Sequence, residues 1–248
     1  MRYFLEISYL GTHYCGWQRQ PNGISVQQLI EEALTTLLRS TTSIVGAGRT
    51  DAGVHGEVMI AHFDTASGIN IAGVIRGLNS LLPPDIAVHD IRRVTDEAHA
   101  RFSALNRRYR YTIVQRKDPM RLLTAARIEY RLDITAMNQA AEALLRHTDM
   151  TSFSKLHTDV KTNDCHVTEA RWQHSDEHTL TFHITANRFL RNMVRAVVGT
   201  LLDVGRGKIT VQDFENIIIA RERGRAGTSA PAQGLALIDI TYPDNIYL

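Results

Sequence analysis

One order of secondary-structure elements recurs in this chain, and the recurrence constrains the fold more than any other feature of the sequence. In the first half, the apolar pattern predicts strands at 2–9, 43–46, 57–63 and 86–93, a helix after Ser25 and a helix near 70–81. Ser25 and Gln28 have the spacing of a capping box, and Pro83-Pro84 ends the second helix. The predicted order of the first half is therefore β-α-β-β-α-β.

The second half repeats this order with one additional helix. Strands are predicted at 107–115, 164–173, 178–186 and 235–241, with helices after Asp133, at 188–203 and, as the addition, near 210–220. Each half fits a ferredoxin-like or RRM-like module, in which helices cover one face of a sheet. We therefore predict an α+β fold with two such halves, 1–104 and 105–248, whose mostly antiparallel sheets meet at a central cleft. Because the open face of such sheets often receives single-stranded RNA, we expect that cleft to bind RNA.

The distribution of charge supports a nucleic-acid partner, although the formal net charge is only +2. Between Arg101 and Arg131, nine residues are basic and two are acidic. A solvent-exposed face is the usual explanation of such a run. Here, however, arginines alternate with Tyr109 and Tyr111, and this pattern also fits a surface that binds the RNA backbone and stacks on bases.

Motifs exclude several other classes of protein. Cys15 and Cys165 match neither a disulfide framework nor a C-x-x-C site, and no H-E-x-x-H motif occurs, so we expect reduced thiols and no metal. No serine lies in the G-x-S-x-G motif of a hydrolase. There is no apolar run of about eighteen residues and no signal peptide at the start, so we expect a cytoplasmic protein with no membrane association.

The loop at 46–56 contains four glycines around a single carboxylate, Asp51. It is not a dinucleotide-binding G-x-G-x-x-G loop, because the third glycine would fall on Asp51. It is not a P-loop either, because Val54 and His55 follow Gly53. One interpretation is a tight turn in which Asp51 pairs with Arg49 for structural reasons.

A second interpretation follows from a resemblance. The sequence Gly48-Arg49-Thr50-Asp51-Ala52-Gly53-Val54-His55 resembles the catalytic motif of the tRNA pseudouridine synthase A family. Further segments similar to this family are Tyr14–Gln20, His99–Ala104, Arg107–Tyr111, residues 187–200 and Gly234-Leu235. The resemblance implies that Asp51 is the essential catalytic residue. It also implies that Tyr109 contacts the target nucleotide, that Arg195, the arginine of Met193-Val194-Arg195, lies in the active site, and that Arg49 assists in binding substrate.

Membership of this family implies a reaction and a partner. The enzyme would isomerise uridine to pseudouridine at positions 38, 39 and 40 in the anticodon stem-loop of tRNA, as a homodimer and without cofactor or metal. Two alternatives remain open on the residues alone. One is a non-enzymatic RNA-binding protein with tandem RRM-like halves, and the other is a nucleoside hydrolase or glycosidase, against which the absence of a clear partner carboxylate in the glycine loop argues.

Overall fold

The computed structural model describes residues 1–155 and 162–248. Contacts divide the chain into two compact units, Met1–Asn106 together with Leu237–Leu248, and Arg107–Ala236. The division after Asn106 lies near the sequence-based boundary at 104/105. The carboxyl-terminal residues lie in a different unit from the one predicted. The sequence prediction placed all of 105–248 in the second half, whereas residues 237–248 group with the first unit.

Hydrogen bonds explain why the carboxyl-terminal chain groups with the first unit. The backbone N–H of Leu105 donates to Thr241 O at 2.8 Å, and that of Thr95 donates to Ile246 O at 2.9 Å. The hydrophobic pattern of residues 235–241 predicts a strand but contains no information on which residues that strand will bond. Long-range pairing therefore decides the grouping.

The first unit is built on an antiparallel sheet with two helices. Its elements are β1 Arg2–Tyr9, α1 Val26–Leu38, β2 Val45–Gly46, β3 His55–Asp64, α2 Ile71–Leu81 and β4 Ile86–Val94. β1 lies between β3 and β4 and is antiparallel to both, and β2 is antiparallel to β3. The order of these elements along the chain is the β-α-β-β-α-β order predicted from the sequence.

The second unit also combines helices with a mostly antiparallel sheet. Its elements are β5 Asn106–Val114, β6 Ala126–Arg127, α3 Ile134–Ala141, α4 Ala143–Arg146, β7 Val167–Asp176, β8 Thr179–Ala186, α5 Met193–Gly205 and α6 Val211–Ala220; β9 Leu235–Thr241 spans the division. β8 is antiparallel to β5 and β7, whereas the short β6 is parallel to β5. The predicted α+β class with mostly antiparallel sheet is confirmed. Across the described ranges, no helix has the length and apolar character that a membrane span requires.

The first helix begins and ends as its sequence requires. The Ser25 side chain accepts a hydrogen bond from the backbone N–H of Gln28 at 3.3 Å, which satisfies one of the donors that a helix leaves unpaired at its start. Arg39 then adopts a left-handed conformation with φ of 52° and ends the helix. Between these caps Ile30 and Leu34, four residues apart, are fully buried.

Helix α5 begins later than the sequence pattern predicts. The periodicity predicts a helix from Arg188, but the observed helix starts at Met193. Asn192 has a left-handed backbone with φ of 65°, which interrupts the helical path, and its side chain donates to Ser229 Oγ at 2.7 Å. Arg188 and Arg191 therefore precede the helix, whereas Arg195 lies on it.

The outer face of the first unit's sheet is not open as an RRM-like module would suggest. Only 3% of Phe4, on β1, is exposed. The ring of Tyr242 covers it at a centroid distance of 5.0 Å, and Tyr247 follows at 6.3 Å. The carboxyl-terminal segment thus occupies the position in which the open sheet of an RRM-like module would stack on a base.

Candidate active site

Asp51 lies in the loop that joins β2 to β3. The loop starts from a backbone bond of the sheet, Ala47 N–H to Ile60 O at 2.8 Å, and turns at Asp51, whose carbonyl accepts from Val54 N–H at 3.1 Å. Asp51 is half-buried and Arg49 is exposed. The Asp51 backbone is therefore held at both ends of a short turn, which limits where its carboxylate can go.

Thr50, the neighbour of Asp51, is fixed by Tyr9, the last residue of β1, and by Trp17, in the segment that follows β1. Its hydroxyl lies 2.9 Å from the hydroxyl of Tyr9, and its carbonyl accepts from Trp17 N–H at 3.2 Å. Thr50 and Trp17 are both buried. Residues held by packing and by neighbouring hydrogen bonds keep a functional side chain in one geometry, so Tyr9 and Trp17 preorganise the Asp51 turn.

Gly16 allows this close approach between the two segments. Its φ is +93°, in the region that favours glycine, and a Cβ there would collide with Thr50 O. Gly46 lies against the Trp17 indole ring. A Cβ added to Gly46 would come within 2.5 Å of Trp17 Nε1. The glycines of the loop and of its neighbour thus provide room for backbone contact, and no phosphate cradle is required to explain them.

His55, the last residue of the motif, has a structural hydrogen bond. Its Nδ1 accepts from Gly11 N–H at 2.9 Å, and the side chain is 5% exposed. Because Nδ1 must be unprotonated to accept this bond, the ring proton of the neutral form lies on Nε2. His55 therefore ties the start of β3 to the segment after β1.

Tyr109 lies in the second unit, on the buried face of β5. It is 8% exposed, and its ring meets that of Phe189 edge to face at a centroid distance of 5.1 Å. Tyr111 shares this face, as the alternation predicts, but is fully buried and donates its hydroxyl to Pro231 O at 2.9 Å. The structure thus distinguishes two tyrosines that sequence alternation cannot separate.

Arg195 lies in the first turn of α5 and is half-buried. Its Nε donates to Ala230 O at 2.7 Å, and the Ala230 N–H donates to Arg195 O at 2.9 Å. The first bond orients the guanidinium through one of its five N–H donors, and the second holds the backbone of Arg195. Burial raises the pKa of Tyr111, and the positive charge of Arg195 acts against this rise.

The predicted site residues therefore fall into two sets. Asp51 and Arg49 share one loop of the first unit, and Tyr109 and Arg195 belong to the second unit. The sequence did not predict that Tyr9 and Trp17 hold the Asp51 turn. Trp17 lies in a segment that resembles the family. The contact of Tyr9 with Thr50 joins residues 41 positions apart, so no local sequence pattern indicates it. Within the described ranges, no group of three or more His, Cys, Asp or Glu side chains is arranged to hold a metal ion.

Comparison with known proteins gives the same family that the motifs indicate. A family model described as tRNA pseudouridine synthase matches residues 7–103 and 140–243. These ranges include Asp51 and Arg195, whereas Tyr109 lies in the interval between them.

Individual relatives match over nearly their whole length. A tRNA pseudouridine synthase A of Bacteroides fragilis is 53% identical over 247 residues, which cover 99% of this chain and 98% of the relative. Proteins of the same name from Parabacteroides distasonis and Porphyromonas gingivalis are 52% and 49% identical, over 99% and 100% of this chain and 98% and 99% of their own lengths. Because both the family model and these full-length relatives match, the chain belongs to the tRNA pseudouridine synthase family.

Proposed function

We propose that this protein isomerises uridine to pseudouridine at positions 38, 39 and 40 in the anticodon stem-loop of tRNA, with Asp51 as the essential carboxylate. The observation that carries the proposal is the similarity to tRNA pseudouridine synthases A over 99% of the chain, which includes the loop of Asp51. The bonds that hold Thr50 support a catalytic role for this loop, since a reacting group needs a defined position.

The reaction rearranges one nucleotide without gain or loss of atoms. The bond between C1′ and N1 of uridine breaks, the uracil turns while it stays bound, C5 bonds to C1′, and the proton on C5 is replaced by one on N1. No electron acceptor or donor is needed, so the proposal includes no cofactor. An ionised Asp51 can act in three ways: by attack on C1′, by addition to C6 of the base, or by removal of the 2′ proton.

The other site residues receive roles from the motifs in which they lie. Arg49, two residues before Asp51, adds positive charge to the same loop and is proposed to bind substrate. Tyr109 is proposed to stack on the target uracil, supported by the Phe189 ring that sets its orientation. Arg195 is proposed to bind substrate, supported by the bond from its Nε that fixes the guanidinium.

We also propose a cytoplasmic homodimer. The assembly is supported by exposed apolar side chains on the second unit, with Met120 91% and Leu122 71% exposed. Exposed apolar groups of this kind are common at contacts between proteins. Light scattering at several protein concentrations measures the mass directly, and a monomer at all of them would contradict the dimer.

One assay separates the proposed function from its rivals. An unmodified tRNA transcript is incubated with the protein, and its nucleosides and the released free bases are both quantified. An isomerase produces pseudouridine and no free uracil. A nucleoside hydrolase releases uracil, and an RNA-binding protein without activity, the second candidate, changes neither quantity.

A further inference from the structure

Phe102 is a large aromatic residue on the surface of the first unit, in the connection between β4 and β5. Its side chain is 76% exposed, although phenylalanine is usually buried. We refer to residues 99–103 as the Phe102 tip. The exposure of so large an apolar side chain requires a physical reason.

The backbone of the Phe102 tip is held rigidly. Nδ1 of His99 accepts hydrogen bonds from the backbone N–H groups of Arg101 at 3.1 Å and Phe102 at 3.3 Å. Ser103 N–H donates to His99 O, and His99 N–H donates to Ser103 Oγ, both at 2.9 Å. Four bonds within five residues leave the turn little freedom, so the ring of Phe102 is exposed on a defined backbone.

Beneath the tip, buried groups anchor it to the sheet. His62, on β3, accepts from Ala100 N–H through Nδ1 at 3.1 Å, and Tyr242 donates its hydroxyl to Ala100 O at 2.5 Å. The rings of His62 and His99 meet edge to face at 4.6 Å. Ala100 is fully buried. The exposed Phe102 ring therefore projects from a segment whose underlying residues are packed like those of a protein core.

The surroundings of the ring combine aromatic support with positive charge. The His99 ring lies 4.4 Å from that of Phe102, and the Cζ of Arg101 lies 5.5 Å from its centroid. An aromatic ring with an adjacent guanidinium is the combination with which proteins bind single-stranded nucleic acid, because the ring stacks on a base and the cation contacts the backbone.

We propose that the Phe102 tip binds an unpaired nucleobase of the tRNA substrate by stacking on Phe102, with Arg101 contacting a phosphate next to that base. This inference rests on the proposed function for the identity of the RNA. The size of the feature favours a base over a protein surface. One ring buries at most about 250 Å², whereas a stable protein interface needs about 800 Å² on each side.

The test measures binding of an unmodified tRNA transcript to four proteins at a fixed salt concentration: the parent, Phe102→Tyr, Phe102→Leu and Phe102→Ala. Stacking predicts that Phe102→Ala binds about 5- to 150-fold more weakly. Phe102→Tyr should bind as the parent does, and Phe102→Leu, which is apolar but cannot stack, should resemble Phe102→Ala. Melting temperatures should stay at the parental value, since the side chain is 76% exposed.

The salt dependence separates the two contacts that the proposal names. Arg101→Ala should reduce the slope of log affinity against log salt by about 0.7 to 0.9, the value for one lost phosphate contact. Phe102→Ala should weaken binding without changing that slope. An unchanged slope for Arg101→Ala would overturn the proposed phosphate contact.

Three outcomes separate the failure of this proposal from the failure of the proposed function. If Phe102→Ala binds tRNA with parental affinity while the parent protein forms pseudouridine, the proposal for the Phe102 tip is overturned and the proposed function is not. A loss of dimer mass in Phe102→Ala, with unchanged affinity for tRNA, assigns the ring to contact between two copies and also overturns it. A parent that does not bind tRNA contradicts the proposed function, and the tip then loses its ligand as well.

Discussion

The hydroxyl of Tyr9, at the end of β1, lies 2.9 Å from the hydroxyl of Thr50, the residue immediately before Asp51. Both side chains are buried. A strand of the first sheet thereby holds the turn that carries the proposed catalytic carboxylate. If catalysis depends on the position of Asp51, it should respond to changes that leave Asp51 itself intact.

Removal of the Tyr9 hydroxyl tests this dependence. We expect Tyr9→Phe to lower the rate of pseudouridine formation, because Thr50 loses one of its two anchors, while the free energy of unfolding falls by only about 0.5–1.5 kcal/mol. Tyr3→Phe is the matched control on β1, because the Tyr3 hydroxyl bonds to Met1 Sδ, at 3.9 Å, near the opposite end of the strand from Tyr9. Equal rates in the two variants would show that this anchor does not position Asp51.

A pair of glycines separates backbone strain from displacement of the loop. Gly16 and Gly207 both have positive φ, +93° and +68°, but a Cβ at Gly16 would collide with Thr50 O, whereas one at Gly207 meets nothing within 4 Å. We expect Gly207→Ala to cost about 1–2 kcal/mol of unfolding free energy with full activity. Gly16→Ala should cost about 2–5 kcal/mol and lower activity even in the folded fraction. Chemical denaturation and single-turnover assays measure both quantities.

Substitutions at the two tyrosines of β5 should have opposite effects. Tyr109→Phe should retain activity, and Tyr109→Leu should lose about 1–3 kcal/mol of stacking on the uracil, seen as weaker binding or slower turnover. Tyr111→Phe removes the bond to Pro231 O, so it should lower stability by about 1 kcal/mol and leave the rate per folded molecule unchanged. If Tyr109→Leu has a lower melting temperature but parental activity per folded molecule, Tyr109 is a core residue, in agreement with its 8% exposure.

Stability should fall in mild acid because of His62. Burial, with smaller contributions from the charges of Arg2 and His99, lowers the pKa of His62 from 6.5 to about 4. Between pH 6.5 and 4, His62 is therefore protonated in the unfolded state but neutral in the folded state. The contribution of neutral His62 to the free energy of unfolding is complete above pH 6.5 and is lost as the pH falls toward 4. The loss amounts to about 3 kcal/mol.

His62→Asn isolates this effect, because an amide oxygen can accept the Ala100 N–H bond but does not titrate in this range. We expect the variant to be less stable than the parent at neutral pH and to show a flatter dependence on pH between 6.5 and 4. Denaturant unfolding at several pH values measures both slopes. Parallel slopes for the two proteins would remove His62 as the cause.

Local sequence signals predicted the elements of the fold well. β1 and β9 have the predicted bounds, and Ser25 caps α1 as its spacing with Gln28 indicates. The predictions differed where distant residues decide. The left-handed Asn192 that delays α5 bonds to Ser229, and residues 237–248 group with the first unit through bonds such as that of Leu105 to Thr241.

The candidate site shows the same division. Asp51 was predicted as the catalytic residue from a contiguous motif, and alternation placed Tyr109 on the same face as Tyr111. The contacts that fix the site could not be predicted from the sequence, because Tyr9 and Thr50 are 41 residues apart. Nor does the sequence reveal that Phe102 is exposed on a rigid turn, since phenylalanine is usually buried.

The most direct test of the proposed mechanism is the single-turnover formation of pseudouridine by Asp51→Asn, measured together with its affinity for unmodified tRNA. Asparagine keeps the size of the side chain and removes its charge, and RNA affinity comes mainly from basic contacts to phosphates. We expect tRNA to bind with nearly parental affinity and no pseudouridine to form, whereas Glu32→Gln, an exposed carboxylate-to-amide change on α1, should leave both unchanged. Pseudouridine formed by a homogeneous Asp51→Asn protein at a substantial fraction of the parental rate would contradict the proposed mechanism.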